Sequence, residues 1–261
     1  MADTLTISLI QYAPRWEDVR FNLSRLNGMI QPLAGKTNLV VLPEMFPTGF
    51  SMNVSQICSH SAEVLQWMQQ QAQKTGAMIA GSMAVQENAD CYNRFYWVSP
   101  HGNAGHYDKR HLFTMSDEPQ HYTAGTEQKQ FEWNGWKIKP VVCYELRFPA
   151  WCRNNRTEPY DLLVCSACWP SVRSDVWRTL LKARALENQC YVAGVNRTGV
   201  DGNGLQHQGD SVVYGAKGEI IGKLSENEET VATFDLSLPA LHDFRKKFPV
   251  LNDMDDIDLS H

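Results

Sequence analysis

Residues 162–196 read LLVCSACWPSVRSDVWRTLLKARALENQCYVAGVN. The stretch divides into three parts. Leu162 to Ser166 is a short apolar run and reads as a buried strand; residues 172–188 carry the strongest helical pattern in the chain; Cys190 to Asn196 returns to an apolar strand. Strand, helix and strand in direct succession are the mark of an α/β protein.

The pattern continues on both sides. Upstream, residues 4–11 alternate apolar and polar as a strand does, and Trp16, Val19, Leu23, Leu26, Met29 and Ile30 recur at helical spacing through 16–34. Asn38 to Leu42 is a short buried strand closed by Pro43, and 61–75 is a second helix, with Val64, Leu65, Trp67, Met68 and Ala72 on one side. Strands follow near 77–85 and 91–98, the latter leading into a turn, SPHGN, and then GHYDKRHLF. Strands near 130–133 and 136–142 flank Asn134–Gly135, a hairpin dipeptide. A short helix follows Pro149, strands near 209–214 and 219–223 are joined by GAKG, and a strand at 230–235 leads to a helix near 237–247. The hairpins require a partly antiparallel, mixed sheet. No internal repeat, low-complexity tract or long linker interrupts the chain, so one domain over 1–261 is expected.

The composition narrows the function classes. At 261 residues, 43% hydrophobic and 20% charged, the chain can bury a full core without staples. A formal charge of −5, with no basic run, argues against a nucleic-acid partner. The acidic stretch Asp253, Asp255, Asp256 and Asp258 reads as a solvated tail. No apolar run approaches the ~20 residues of a membrane span. The start, MADTLTISLIQYAPRWEDVR, lacks the basic opening and long apolar core of a signal peptide. Seven Cys, an odd number without framework spacing, then point to reduced thiols and a cytoplasmic location. The eight Trp, a mild excess, suit core packing, pocket walls or a subunit contact.

Three segments carry chemistry. Cys143, in VVCYELRFP, is delivered by an apolar strand to a sharp transition, where a turn can expose the sulfur and aim backbone N–H groups at a reacting oxygen. Glu44, in VVLPEMFPTGF, lies just past a buried strand; in the apolar company of Met45 and Phe46 its pKa would rise and suit it to act as a general base. Lys109, in HYDKRHLF, can bring positive charge to a developing oxyanion. Alone, each has an ordinary structural explanation: a small buried thiol, an exposed loop acid, a solvated lysine. A Cys–His protease would need a His in a protease-like motif, and His106, His111, His121 and His207 stand in none. Cys165 and Cys168 form a C-x-x-C, but no matching second pair completes a zinc site, and they read as a buried strand end.

Taken together and in this order, PEMFPTGF, DKRHLF and CYELRFP resemble the glutamate, lysine and cysteine motifs of the nitrilase, or carbon–nitrogen hydrolase, superfamily. SACWP at 166–170, ARALENQCYVAGVNRTG at 183–199 and GDSVVYGAKGEII at 209–221 resemble further segments of that family, so the likeness covers nearly the whole chain. CYELRFP followed by WCRN, the stretch CWPSVRSDVWRTLLKARALENQ and the DGNG of 201–204 are closest to its bacterial omega-amidase branch. The resemblance implies a four-layer α-β-β-α sandwich with mixed sheets, usually paired as a homodimer. It implies Glu44, Lys109 and Cys143 as catalytic residues, and Glu118, in TMSDEPQHY, as a second glutamate that positions Lys109 and substrate. The implied reaction is hydrolysis of the terminal amide of a small 2-oxo acid monoamide, such as 2-oxoglutaramate or 2-oxosuccinamate, through a Cys thioester and without metal or organic cofactor. Nitrile, carbamoyl or other amide substrates share the same core, and an inactive scaffold of the fold would be expected to lack one of the three residues. A substrate carboxylate calls for a fixed cation, for which Arg173 and Arg147 are candidates, with Trp169, Phe46 and Tyr144 as apolar walls.

Overall fold

The computed structural model describes residues 3–255; Asp256 and Asp258 of the acidic stretch lie outside the described residues. Alternating segments such as Thr4–Gln11 and continuous apolar runs such as Leu162–Ala167 build two six-stranded sheets. The first holds, in spatial order, β14 (Thr230–Ser237), β1 (Thr4–Gln11), β2 (Leu39–Val41), β3 (Met78–Glu87), β4 (Asp90–Val98) and β5 (Ala104–Asp108). The second holds β13 (Ile220–Lys223), β12 (Val212–Tyr214), β9 (Tyr191–Asn196), β8 (Leu162–Ala167), β7 (Trp136–Val142) and β6 (Phe131–Trp133). A small hairpin, β10 (Thr198–Val200) with β11 (Gln206–Gln208), stands apart.

From β14 to β5 the neighbouring pairs run antiparallel, parallel, parallel, antiparallel, antiparallel. From β6 to β13 the order of pairings is the same. The two sheets are topological copies, although no repeat is visible in the sequence. A sheet buried on both faces requires apolar side chains but not particular ones, so the topology repeats where the letters do not.

The alternation sorts side chains into layers. Leu5, Ile7 and Leu9, Leu39 and Val41, Ile138 and Val142, and Leu162 and Val164 meet in one core between the sheets. The opposite face of the first sheet, through Ile10, Val40 and Ile79, packs on α1 (Val19–Ile30) and α3 (Ser61–Thr75). The opposite face of the second, through Val141, Leu163, Cys165 and Val192, packs on α6 (Ser174–Asn188). The result is the expected α-β-β-α sandwich. Each fully buried aliphatic side chain here stabilises by about 1.5–3 kcal/mol relative to exposure. Single-turn helices α2 (Val54–Ile57), α4 (Glu118–His121) and α5 (Pro149–Cys152) occupy the connections, and α7 (Leu238–Lys247) closes one end, its Arg245 paired with Asp161 at 2.9 Å. No helix of the described residues is long and apolar enough to cross a membrane.

Helix ends follow local chemistry. The Asp18 side chain caps α1 by accepting from the Phe21 N–H at 3.1 Å, and α3 stops at Gly76 in the left-handed region. Asn134 and Gly135 both have positive φ, +53° and +86°, as their tight hairpin requires. Two elements are added to the expected set and one boundary is corrected. The segment after the SPHGN turn holds an edge strand, β5, which the polar letters of AGHYD conceal because only Tyr107 is buried. The region 198–208 forms the small hairpin. The strand expected from 209 starts only at Val212, because Gly209 (φ +83°) and Asp210 (φ +61°) are left-handed.

Candidate active site

The segments leaving β2, β5, β7 and β8 converge at one end of the sandwich. Past β2 the chain turns at Met45, a non-glycine residue with φ +47°. That turn is pinned to β3: the Met45 N–H donates to Ser82 Oγ at 3.0 Å and the Phe46 N–H to the Ser82 carbonyl at 3.1 Å. Glu44 is thereby held buried at the sheet end. Its Oε1 accepts from Lys109 Nζ at 2.9 Å and Asn93 Nδ2 at 2.8 Å, and its Oε2 from the Cys168 N–H at 3.0 Å. The expected apolar company is absent. Met45 turns into a side cluster with Ile57 and Tyr122, and Phe46 turns under the helices, so Glu44 sits among donors.

Lys109 leaves β5 with its N–H bonded to the Asn93 carbonyl at 3.0 Å. Its ammonium lies between Glu44 and both oxygens of Glu118, each 3.0 Å away. Glu118 opens α4 and also accepts from Asn93 Nδ2 at 3.3 Å and the Phe113 N–H at 2.5 Å. Burial disfavours the ammonium, but the two carboxylates, Glu118 before Glu44, outweigh it and raise the Lys109 pKa, so the cation is retained.

Cys143 directly follows β7 and begins a turn of 3-10 helix, Cys143–Arg147, with φ +47°. This region is disfavoured for a side chain with a Cβ, by about 1–2 kcal/mol. Burial and the nearby Glu44 carboxylate push the thiol pKa well up, with Lys109 partly opposing, so the resting sulfur carries its proton.

A cavity of ≈ 420 Å³ is lined by Glu44, Lys109 and Cys143 together with Tyr144, Trp169, Arg147 and Arg173. The Arg147 guanidinium lies 5.1 Å from the Trp169 ring centre, and that of Arg173 lies 5.8 Å from Phe113. Neither arginine has a carboxylate partner among the described residues. Phe46 does not line the cavity: its fully buried ring packs 5.8 Å from Trp67, because the Met45 turn directs it away. Phe50 takes the wall instead, its ring centre 5.1 Å from Lys109 Nζ. Glu118 is fully buried behind Lys109 and reaches the cavity through it. Among the described residues, no group of three or more His, Cys, Asp or Glu side chains is placed to hold a metal ion.

The family model for carbon-nitrogen hydrolases matches residues 6–246. The chain belongs to the carbon-nitrogen hydrolase family. This hydrolase-family chain is 45% identical to Omega-amidase YafV of Escherichia coli strain K12, over 98% of each chain. It is 33% identical to the 2-oxoglutaramate amidase of Bacillus subtilis strain 168, over 95% of this chain and 97% of that one. In three dimensions it resembles a CN-hydrolase superfamily protein of Xanthomonas campestris whose crystal structure carries an arsenic adduct in the active site. That likeness has a TM-score of 0.96 and 41% identity, and it covers 99% of this chain and 100% of the other.

Several residues at the hydrolase-family site escaped the sequence reading. Asn93 bridges the two glutamates from the middle of β4; a lone amide among CYNRFYWV is its only sequence signal. Cys168 holds Glu44 through its N–H and donates its thiol to the Glu44 carbonyl at 3.2 Å. Asp201, Asn203, Leu205 and His207 reach the cavity from the β10–β11 hairpin, whose only local signal is the Asp-Gly and Asn-Gly turn chemistry of 201–204. Glu145, two residues past the sulfur, is fully buried beneath the turn.

Proposed function

We propose that this chain is an omega-amidase, converting a small 2-oxo acid monoamide such as 2-oxoglutaramate or 2-oxosuccinamate to the dicarboxylate and ammonia. The observation that carries the reading is a protonated lysine held between two buried glutamates, on the same small cavity as a strained cysteine and two arginines that have no carboxylate partner among the described residues. The names of the relatives from Escherichia coli and Bacillus subtilis support the substrate class.

In this mechanism Glu44 takes the Cys143 thiol proton and the thiolate attacks the amide carbonyl. Lys109 and the Tyr144 backbone N–H stabilise the tetrahedral oxyanion; one such donor is worth about 3–4 kcal/mol of barrier. As the C–N bond breaks, Glu44 returns its proton to the departing nitrogen, which leaves as ammonia. Glu44 then deprotonates a water that attacks the thioester, the C–S bond breaks, and the released thiolate recovers its proton. Glu118 keeps Lys109 charged and aimed. Arg173 and Arg147 receive the substrate carboxylate, while Trp169 and Tyr144 form apolar walls.

An ammonia-release panel of 2-oxoglutaramate, glutamine, simple nitriles and N-carbamoyl amino acids tests the reading. The expected result is a strong preference for 2-oxoglutaramate, abolished in Cys143→Ala with the fold retained by circular dichroism. Nitrile preference would overturn the substrate, and a fully active Cys143→Ala would overturn the mechanism. We further propose a single functional domain over 1–261 working as a homodimer in the cytoplasm, on a small molecule and without nucleic acid, membrane or cofactor; light scattering of the purified chain tests the dimer.

A further inference from the structure

Glu145 is fully buried and lines no part of the cavity. Four donors converge on its two oxygens. Oε1 accepts from the Arg110 N–H at 2.7 Å, the His111 N–H at 3.3 Å and the Tyr107 hydroxyl; Oε2 accepts from the Val142 N–H at 2.7 Å. The Tyr107 oxygen is fixed in turn by the Trp151 indole N–H at 2.8 Å. Val142 immediately precedes Cys143, and Arg110 and His111 immediately follow Lys109. One carboxylate therefore ties the nucleophile turn, at the end of the second sheet, to the lysine loop, at the edge of the first. A structural acid could cap its own turn with the Val142 bond alone; the three further bonds all reach the segment that carries Lys109.

We propose that Glu145 is a positioning residue whose ionised carboxylate locks the Cys143 turn against the Lys109 loop, holding sulfur and ammonium at the spacing that attack on the amide requires. The proposal rests on the amidase reading for its substrate, and on geometry for its residues. A misplacement of about 1 Å can cost on the order of 100-fold in rate.

The link should respond to pH. Burial pushes the Glu145 carboxyl up to about 7, against the lowering effect of the Tyr107, Val142 and Arg110 hydrogen bonds and the Lys109 charge. The titratable and charged groups around it are Tyr107 on β5, Lys109, Arg110 and His111 on the lysine loop, Cys143 on its own turn, Lys139 on β7, Cys165 on β8, and Cys152 on α5, whose thiol donates to the Glu145 carbonyl at 3.4 Å. Once protonated, the carboxyl carries a hydrogen that only the Tyr107 hydroxyl can accept, so that bond must reverse or open, and the backbone N–H bonds lose the charge that strengthens them. Activity then falls as pH drops through about 7, with Glu145 uncharged below that point and charged above it.

The experiment follows kcat and KM for 2-oxoglutaramate, and in parallel the alkylation rate of Cys143 by iodoacetamide, across about pH 5.5–8.5. Glu145→Gln keeps the shape but cannot titrate, and its amide sets a donor against donors. The expected result is a kcat lowered about 100-fold with KM nearly unchanged, and loss of the inflection near pH 7. Tyr107→Phe keeps the acid but removes one donor from its charged form, so the inflection should move to higher pH. Full kcat in a folded Glu145→Gln, or an inflection that neither variant moves, overturns the proposal. If Glu145→Gln does not fold, the Tyr107→Phe shift decides alone. Alkylation needs no substrate: inflections that behave as stated in a protein inert to every amide would sink the amidase reading and leave the positioning role standing.

Discussion

Lys109 shows how a single residue can be expensive and indispensable at once. Its ammonium is 1% exposed and meets two carboxylates that are 1% and 0% exposed. Burying three ionised groups is unfavourable in itself, and only their mutual attraction and hydrogen bonds offset the desolvation. Removing the cation leaves Glu44 and Glu118 facing each other through Asn93, and one of them must take up a proton. Lys109→Met is therefore expected to abolish ammonia release and to lower the unfolding free energy by about 3–5 kcal/mol, as measured by urea denaturation. A variant as stable as the parent would mean that the buried trio contributes nothing to the fold. Cys143 has a different balance: its positive φ is a local strain that the surrounding turn sustains.

Among the elements, the long periodic ones were legible in the letters. β1 at Thr4–Gln11 and α3 at Ser61–Thr75 fall where their apolar spacing places them, and α6 begins two residues after the expected start, behind a single 3-10 turn. β5, β10 and β11 were only faintly legible, β5 as the strand before Lys109 and the other two through the DGNG turn alone, since short strands at a sheet edge bury few side chains and their letters carry little alternation. Helix–sheet packing allows a sharper test. At Gly194 in β9 an added Cβ would lie 2.4 Å from Leu181 Cδ1 and 2.8 Å from Trp177 Cζ2, both on α6. Only the missing side chain lets that helix lie so close to the sheet. Gly194→Val should destabilise by about 1–3 kcal/mol or more in thermal unfolding, as overpacking does. An unchanged melting temperature would show that α6 can lift off the sheet at little cost.

At the scale of the molecule, the site lies where the two topologically equivalent sheets meet. Glu44 comes from the first sheet and Cys168, which holds it, from the second. The sheets are also stitched directly beneath the site: Ser166 Oγ on β8 donates to the Leu42 carbonyl, just past β2, at 2.7 Å. Both groups are buried, so losing the hydroxyl leaves a carbonyl unpaired. Ser166→Ala should cost about 1–3 kcal/mol in stability and reduce kcat more than KM, because it loosens one half of the site against the other. A raised KM with kcat unchanged would place the effect in binding instead.

The sequence by itself determined the α/β class, the mixed pairing, the order of the strong elements and the three motif segments on which Glu44, Lys109 and Cys143 ride. Those features are written in local periods and local letters, which a linear reading can follow. Only the tertiary structure decided who meets whom: Asn93 between two glutamates, Cys168 on Glu44, Glu145 across two sheets, Phe50 rather than Phe46 at the cavity wall. These contacts join residues as many as 124 positions apart. They depend on how two sheets stack and on the left-handed turn at Met45, and neither leaves a periodic trace along the chain.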